Sequence, residues 1–305
     1  MAMDSLFDRM RATARQLGAS DIHLKPGMAP ILRIDGELRT LRNPDVPEMS
    51  RDFLHNLAMS LLDDRRRDML ERLGDVTVAL TTSSGTRHRI HVAQHRGGVT
   101  ISLHLVAPEP PALDSLGLPA GARDLIGPGA GLVLVASGPG GGKTTTLAAL
   151  IDDLTTRHPL RVVTIEDPVE IMLKDRRSVV VQREVGRDVP TIAAGLRAAG
   201  RQDVDVVLVS DIGDRESGEL ALGAAETGRL VLAGVVAASP AAAVSRLVGL
   251  WETDGRPAVR VRFAAALRGV LCQRLVAAKS GKGRVVEAEI VVGGAAAAAA
   301  EPQSS

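Results

Sequence analysis

Residues 131–146 read Gly-Leu-Val-Leu-Val-Ala-Ser-Gly-Pro-Gly-Gly-Gly-Lys-Thr-Thr-Thr. An apolar run of strand length meets a glycine-rich turn, and a Lys-Thr pair then opens a stretch with helical spacing. Apolar residues without polar alternation belong to a strand buried on both faces. Ser137, Gly138, Pro139, Gly140, Gly141 and Gly142 let the chain curl until several backbone N–H groups point inward, beside the N-terminus of the following helix. Strand, glycine-rich turn and helix together are the context of a phosphate-binding loop. Lys143 is placed to reach the β- and γ-phosphates of a nucleoside triphosphate, Thr144 to offer its hydroxyl to Mg²⁺, and Thr145 continues the cradle. In the pattern G-x-x-x-x-G-K-[ST] the first glycine is Ser137, which costs little at negative φ and is strained at positive φ.

Downstream the same grammar repeats. A helix over Thr144 to Thr156 is followed by a strand Arg161 to Ile165, a helix near Thr191 to Ala199, a strand Asp205 to Val209, a helix Glu216 to Thr227 and a strand Leu230 to Val236. Apolar strands alternating with helices predict an α/β domain whose parallel sheet is covered on both faces. Ligands in such sheets sit beyond the strands' carboxyl ends. Val162-Val-Thr-Ile-Glu-Asp-Pro-Val-Glu170 places Glu166, Asp167 and Glu170 there, and the strand before Asp211 ends in the same way, as a Walker B strand does. These carboxylates could hold a metal and orient a water.

Upstream the text changes. Asp4 to Leu17 and Pro47 to Leu73 have helical spacing, whereas Ile22 to Leu41 alternates in short runs with a hairpin signal at Asp35-Gly36. Val76 to Leu80, Arg87 to Val92 and Val99 to Leu105 read as strands, so the first hundred residues form a small α+β domain. Ala107-Pro-Glu-Pro-Pro111 is a proline-rich break. The expected division is residues 1–105, a linker 106–117, the α/β domain 118–292, and an alanine-rich disordered tail 293–305. Two domains suit 305 residues at roughly 100–200 residues each.

Composition excludes several classes. Lys and Arg number 37 against 36 Asp and Glu, a net charge of +1, which gives no global grip on phosphate backbones. Three Phe and one Trp leave little to stack on bases, so no nucleic acid is expected as a partner. The single Cys272 forms neither an intrachain disulfide nor a four-cysteine zinc site, and reads as a small buried hydrophobe. No apolar run reaches about 18 residues and the first residues lack a signal peptide's apolar stretch, so a cytoplasmic location is expected. His88 and His91 point to opposite faces of a strand, which argues against a metal site with His95. His23 is expected to hold the first hairpin through hydrogen bonds.

Several ordered motifs, from about Gly18 to about Val292, give the chain its resemblance. They are Ala19-Ser-Asp-Ile-His-Leu24, Pro30-Ile-Leu-Arg-Ile-Asp-Gly36, the phosphate loop with Thr145-Thr-Leu-Ala-Ala149, Thr164-Ile-Glu-Asp-Pro-Val-Glu170, Gln182-Arg-Glu-Val-Gly-Arg-Asp188 and Ala224-Ala-Glu-Thr-Gly228. With these the chain resembles the secretion and pilus motor ATPases, and most of all the PilT-like retraction branch of the type II/IV secretion ATPases. The resemblance implies an N-terminal PAS-like domain, a RecA-like P-loop ATPase domain, ATP and Mg²⁺ as cofactors, and a homohexameric ring, alone or mixed with a paralogous ATPase. It further implies docking from the cytoplasm on an inner-membrane pilus platform protein. Arginines reaching from elsewhere in the ring would complete the nucleotide site; the candidates are Arg87, Arg89 and Arg96, whose guanidinium groups stay charged and match phosphate geometry.

Carried over by position, Glu166 and Glu170 fall in the family's aspartate box, and Lys143, Glu166 and Asp211 are the catalytic set, with Thr144 and Asp211 toward Mg²⁺. Asp211 stands where the family has the Walker B glutamate, Val236 where it has a histidine, and Gly213 where it has an arginine. Aspartate withdraws its carboxylate by on the order of 1.5 Å, and a misplacement near 1 Å costs about 10²-fold in rate. Slow ATP-driven retraction is therefore the expected activity, with an accessory ATP-binding subunit of weak or absent turnover as the alternative. A DNA-packaging or conjugation ATPase is a third reading, disfavoured by the near-neutral charge. The family continues into further helices where this sequence runs into polyalanine after Gly293.

Overall fold

The computed structural model describes residues 3–43, 46–81, 87–280 and 283–293. The alanine-rich tail beyond Gly293 lies outside them. The chain folds into two compact units, one of Met1–Pro108 with Ala277–Arg284, the other of Glu109–Val276 with Val285–Ser305.

In the first unit, α1 (Met3–Gln16) precedes β1 (Ala19–Leu24), β2 (Ile31–Ile34) and β3 (Glu37–Thr40). Next come α2 (Arg51–Leu61), α3 (Asp64–Leu73), β4 (Asp75–Thr81), β5 (Arg87–His95) and β6 (Gly98–Leu105). The six strands form one antiparallel sheet in the order β3-β2-β1-β6-β5-β4. The helical text from Pro47 to Leu73 is two helices rather than one. Asp63 interrupts it by accepting the N–H of Arg66, a cap that starts α3, as Ser50 starts α2 through the N–H of Phe53. A side-chain cap satisfies one of the orphan N–H groups of a first turn and is worth about 1 kcal/mol. Strand alternation decides the core: Ile90 and Val92 of β5 and Ile101 and Leu103 of β6 are buried with Met10, Leu54 and Leu70 of the helices.

In the second unit, β7 (Gly131–Ser137), α4 (Lys143–Arg157), β8 (Arg161–Glu166), β9 (Val179–Glu184), α5 (Ile192–Ala199), β10 (Val206–Val209), α6 (Arg215–Glu226) and β11 (Leu230–Val236) are followed by α7 (Pro240–Val248), α8 (Arg256–Ala266), β12 (Leu267–Ala277) and β13 (Arg284–Val292). The sheet runs β13-β12-β7-β11-β10-β8-β9, and every neighbouring pair from β12 to β9 is parallel. All seven residues of β7 are buried. Leu132 and Leu134 pack in the layer with α5, α6, α7 and α8, whereas Val133 and Val135 pack in the layer with α4. Burial on both faces is why this strand carries no polar alternation. The architecture is the expected α/β class, a parallel sheet core joined to a smaller α+β unit. No helix among the described residues is long and apolar enough to cross a membrane.

Candidate nucleotide site

Parallel strands end on one edge of their sheet, and this edge gathers the candidate residues. Ser137 closes β7 and is the register partner of Val236, which closes β11. Asp211 follows β10 by two residues, and Glu166 closes β8. Residues dispersed over a hundred positions thus line one rim.

The phosphate loop lies between β7 and α4. Gly140 has φ 66° and Gly142 has φ 90°, while Ser137 is not among the residues of positive φ. The serine therefore occupies the first loop position without backbone strain. Its side chain is fully buried, and its hydroxyl donates to the carbonyl of Gly138 at 2.8 Å. A Cβ on Gly141 would lie 2.7 Å from both Cβ and Oγ of Ser137, so glycine at 141 is what allows serine at 137. The loop is also gripped from β12. Gln273 donates from Nε2 to the carbonyl of Gly141 at 2.6 Å and accepts at Oε1 from the Thr146 hydroxyl at 2.8 Å. No motif marks Gln273; its signal in the sequence is a lone amide within the apolar run Gly269-Val-Leu-Cys-Gln-Arg-Leu275.

The carboxylates differ sharply from one another. Asp211 Oδ1 is buried without a hydrogen-bond partner among the described residues. Burial raises its pKa above the usual aspartate range, opposed by the positive charges of Lys143 and Arg246. An orphaned carboxylate oxygen in the field of the loop lysine fits a cation ligand, and the Thr144 hydroxyl at the start of α4 supplies a second oxygen of the kind Mg²⁺ takes. Glu166 is buried and tied down: Oε1 accepts from the Thr164 hydroxyl at 2.5 Å and from Gln182 Nε2 at 3.0 Å. It nevertheless meets Thr144 and Ser210 around a cavity of about 20 Å³, roughly the space of one water. Glu170 and Glu184 are buried as well, and Glu184 Oε2 accepts the N–H of Val169 at 3.2 Å. Asp167 is exposed; its N–H donates to Ser210 Oγ at 3.2 Å, joining the segment after β8 to the one after β10.

In the first unit Arg87 and Arg89 lie on the open face of β5 and Arg96 in the turn that follows, while His88 points the other way into the core. His88 accepts the N–H of Val106 at Nδ1, at 3.4 Å, and burial beside Arg11 and Arg15 lowers its pKa to about 4. His91 shares a hydrogen bond of 3.0 Å with Thr77. His23 has a structural hydrogen bond, but with Ser102 of β6 at 3.1 Å rather than within the β1–β2 hairpin. The reason is register: His23 and Ser102 are direct cross-strand partners. Cys272 is buried, and burial pushes its thiol pKa up.

A family model described as type II/IV secretion system protein matches residues 2–302. The chain is 37% identical over 275 residues to the uncharacterized protein YggR of Escherichia coli, covering 90% of this chain and 82% of that protein. It is 32% identical over 282 residues to the type IV pilus retractation ATPase PilT of Pseudomonas aeruginosa, covering 92% and 81%. Among solved structures, the pilus retraction motor PilT with bound ADP superposes with a TM-score of 0.81 at 36% identity, covering 93% of this chain and 82% of that one.

Proposed function

The chain belongs to the type II/IV secretion system protein family, in its PilT-like branch, and from that premise we propose that it is a Mg²⁺-dependent ATPase motor subunit driving type IV pilus retraction. The observation that carries the reading is the buried, unpartnered Oδ1 of Asp211 in the field of Lys143, on the strand edge where the phosphate loop opens. The loop N–H groups and the N-terminus of α4 bind the phosphates, and Lys143 neutralises charge on the β- and γ-oxygens. Asp211 and Thr144 would hold Mg²⁺, which when bound would offset the negative charge developing on the phosphates. Asp211 and Glu166 orient the attacking water from the rim, Glu166 with its carboxylate fixed by Thr164 and Gln182. Arg87, Arg89 and Arg96 are the candidates to complete the site from elsewhere in a homohexameric ring, which would dock on an inner-membrane pilus platform protein.

The test is Mg²⁺-dependent ATP turnover of the purified protein and its loss in Lys143→Ala; turnover indifferent to that change sinks the assignment. A second reading is favoured by Asp211, one methylene shorter than glutamate, and by Val236, which offers no hydrogen bond beside Ser137: an accessory subunit that binds ATP and turns it over slowly. Asp211→Glu separates the two. A latent enzyme gains rate on that change, about tenfold or more if reach is what it lacks, and an accessory subunit does not.

A further inference from the structure

Residues 140–142 are three consecutive glycines. A peptide group flanked by glycines turns over at little steric cost, so the loop itself does not decide which way the Gly141–Gly142 peptide faces. The choice matters for an anion. In a trans peptide the C=O and the following N–H point in opposite directions; an N–H turned into the loop attracts phosphate, and a carbonyl turned inward repels it.

Gln273 makes the choice. Its Nε2 holds the Gly141 carbonyl at 2.6 Å while its Oε1 receives the Thr146 hydroxyl at 2.8 Å. Turned end for end, the amide would set oxygen against the Gly141 carbonyl, so both bonds form together in one orientation only. Gln273 is 3% exposed and Thr146 1%, so bulk water does not compete for the bond between them, and the amide stays oriented toward the half-buried Gly141 carbonyl. Position 142 is shaped to the same contact: a Cβ there would lie 2.9 Å from Gln273 Nε2.

We propose that Gln273 is a positioning residue for the nucleotide, a strut from β12 that keeps the Gly141 carbonyl turned away from the phosphates and thereby turns the Gly142 N–H toward them. The proposal rests on residues 137–145 being a nucleotide site. Without the amide, the half-buried Gly141 carbonyl loses its fixed partner, and the peptide is free to flip into the space the phosphates need. The effect is thus on phosphate affinity more than on folding.

The experiment measures Mg²⁺–ADP affinity by calorimetry, together with the melting temperature without nucleotide, for the full chain and for Gln273→Met and Gln273→Glu. Methionine keeps the volume without the donor, and glutamate puts an acceptor against the carbonyl. Both are expected to weaken ADP at least about tenfold while melting cooperatively. ADP affinity within about twofold of the unaltered chain overturns the strut. Should both variants fail to fold, Thr146→Val removes the brace that orients the amide; about threefold weaker ADP binding supports the proposal and unchanged affinity overturns it. An unaltered chain with no ADP affinity refutes the nucleotide site itself, whereas affinity kept by the variants refutes the strut alone.

Discussion

Gly234 is the position where one methyl group should do most damage. A Cβ built on it would lie 2.1 Å from the carbonyl oxygen of Ser210 and 3.0 Å from that carbonyl carbon. Its φ is not positive, so the requirement for glycine comes from the close approach of backbone and not from the glycine's own conformation. An alanine there must push the segment after β10 away by about 1 Å to restore a tolerable carbon–oxygen distance of just over 3 Å. The displaced oxygen belongs to the residue preceding Asp211, and Ile212 is bonded through its N–H to the carbonyl of Gly234 at 3.2 Å. The carboxylate at 211 therefore moves with the clash. Overpacking of this kind costs about 1–3 kcal/mol, and for a unit of this size each kcal/mol lowers the melting temperature by about 2–4 °C. A shift near 1 Å at a carboxylate proposed to hold Mg²⁺ costs about 10²-fold in turnover. Gly234→Ala should thus melt several degrees lower and lose most Mg²⁺-ATPase activity, measured by calorimetry and phosphate release. Unchanged melting together with unchanged turnover would refute the reasoning.

Two further outcomes follow from charge. Burial raises the Asp211 pKa, so between its unfolded and folded pKa the native state binds more protons and stability falls as pH rises; Asp211→Asn should therefore melt higher than the parent at pH 7 without nucleotide, yet bind ADP about tenfold more weakly in Mg²⁺. His88 is the opposite case: its pKa falls from 6.5 to about 4, so its stabilising contribution is present above pH 6.5 and is lost as pH falls toward 4, at most about 3 kcal/mol, and His88→Phe should flatten that acid limb in a melting series from pH 7 to pH 4.

The buried strands and the glycine-rich turn between β7 and α4 were legible because burial on both faces leaves a continuous apolar text, and because a glycine run between strand and helix marks a tight turn. Asp211 and Glu166 were legible as strand-end carboxylates, but their difference was not: what ties Glu166 down comes partly from Gln182, on a strand whose text carries no clear strand signal. That strand, β9, is an edge strand with Val179 and Val181 exposed and Val180 packed against the core, so most of its apolar residues do not mark a buried face. The segments α7, α8, β12 and β13 likewise lack a local text that marks them. In β12 the polar Gln273 interrupts the apolar run, and only the fold shows that the interruption faces the phosphate loop. Local text likewise suggested the hairpin as the partner of His23, whereas cross-strand register over 79 residues of separation gave Ser102.

The pairing of Ser137 with Val236 has a consequence for anyone who edits this rim. They are neighbours in adjacent parallel strands, and the carbonyl of Ser137 also accepts the N–H of Ala237 at 3.2 Å. Two departures from the family pattern thus occupy one patch, and their effects need not add. Restoring glycine at 137 alone, or histidine at 236 alone, asks each residue to work beside a neighbour it was not matched to. The pair should be exchanged as a unit, and a silent single revertant would show epistasis before it showed irrelevance.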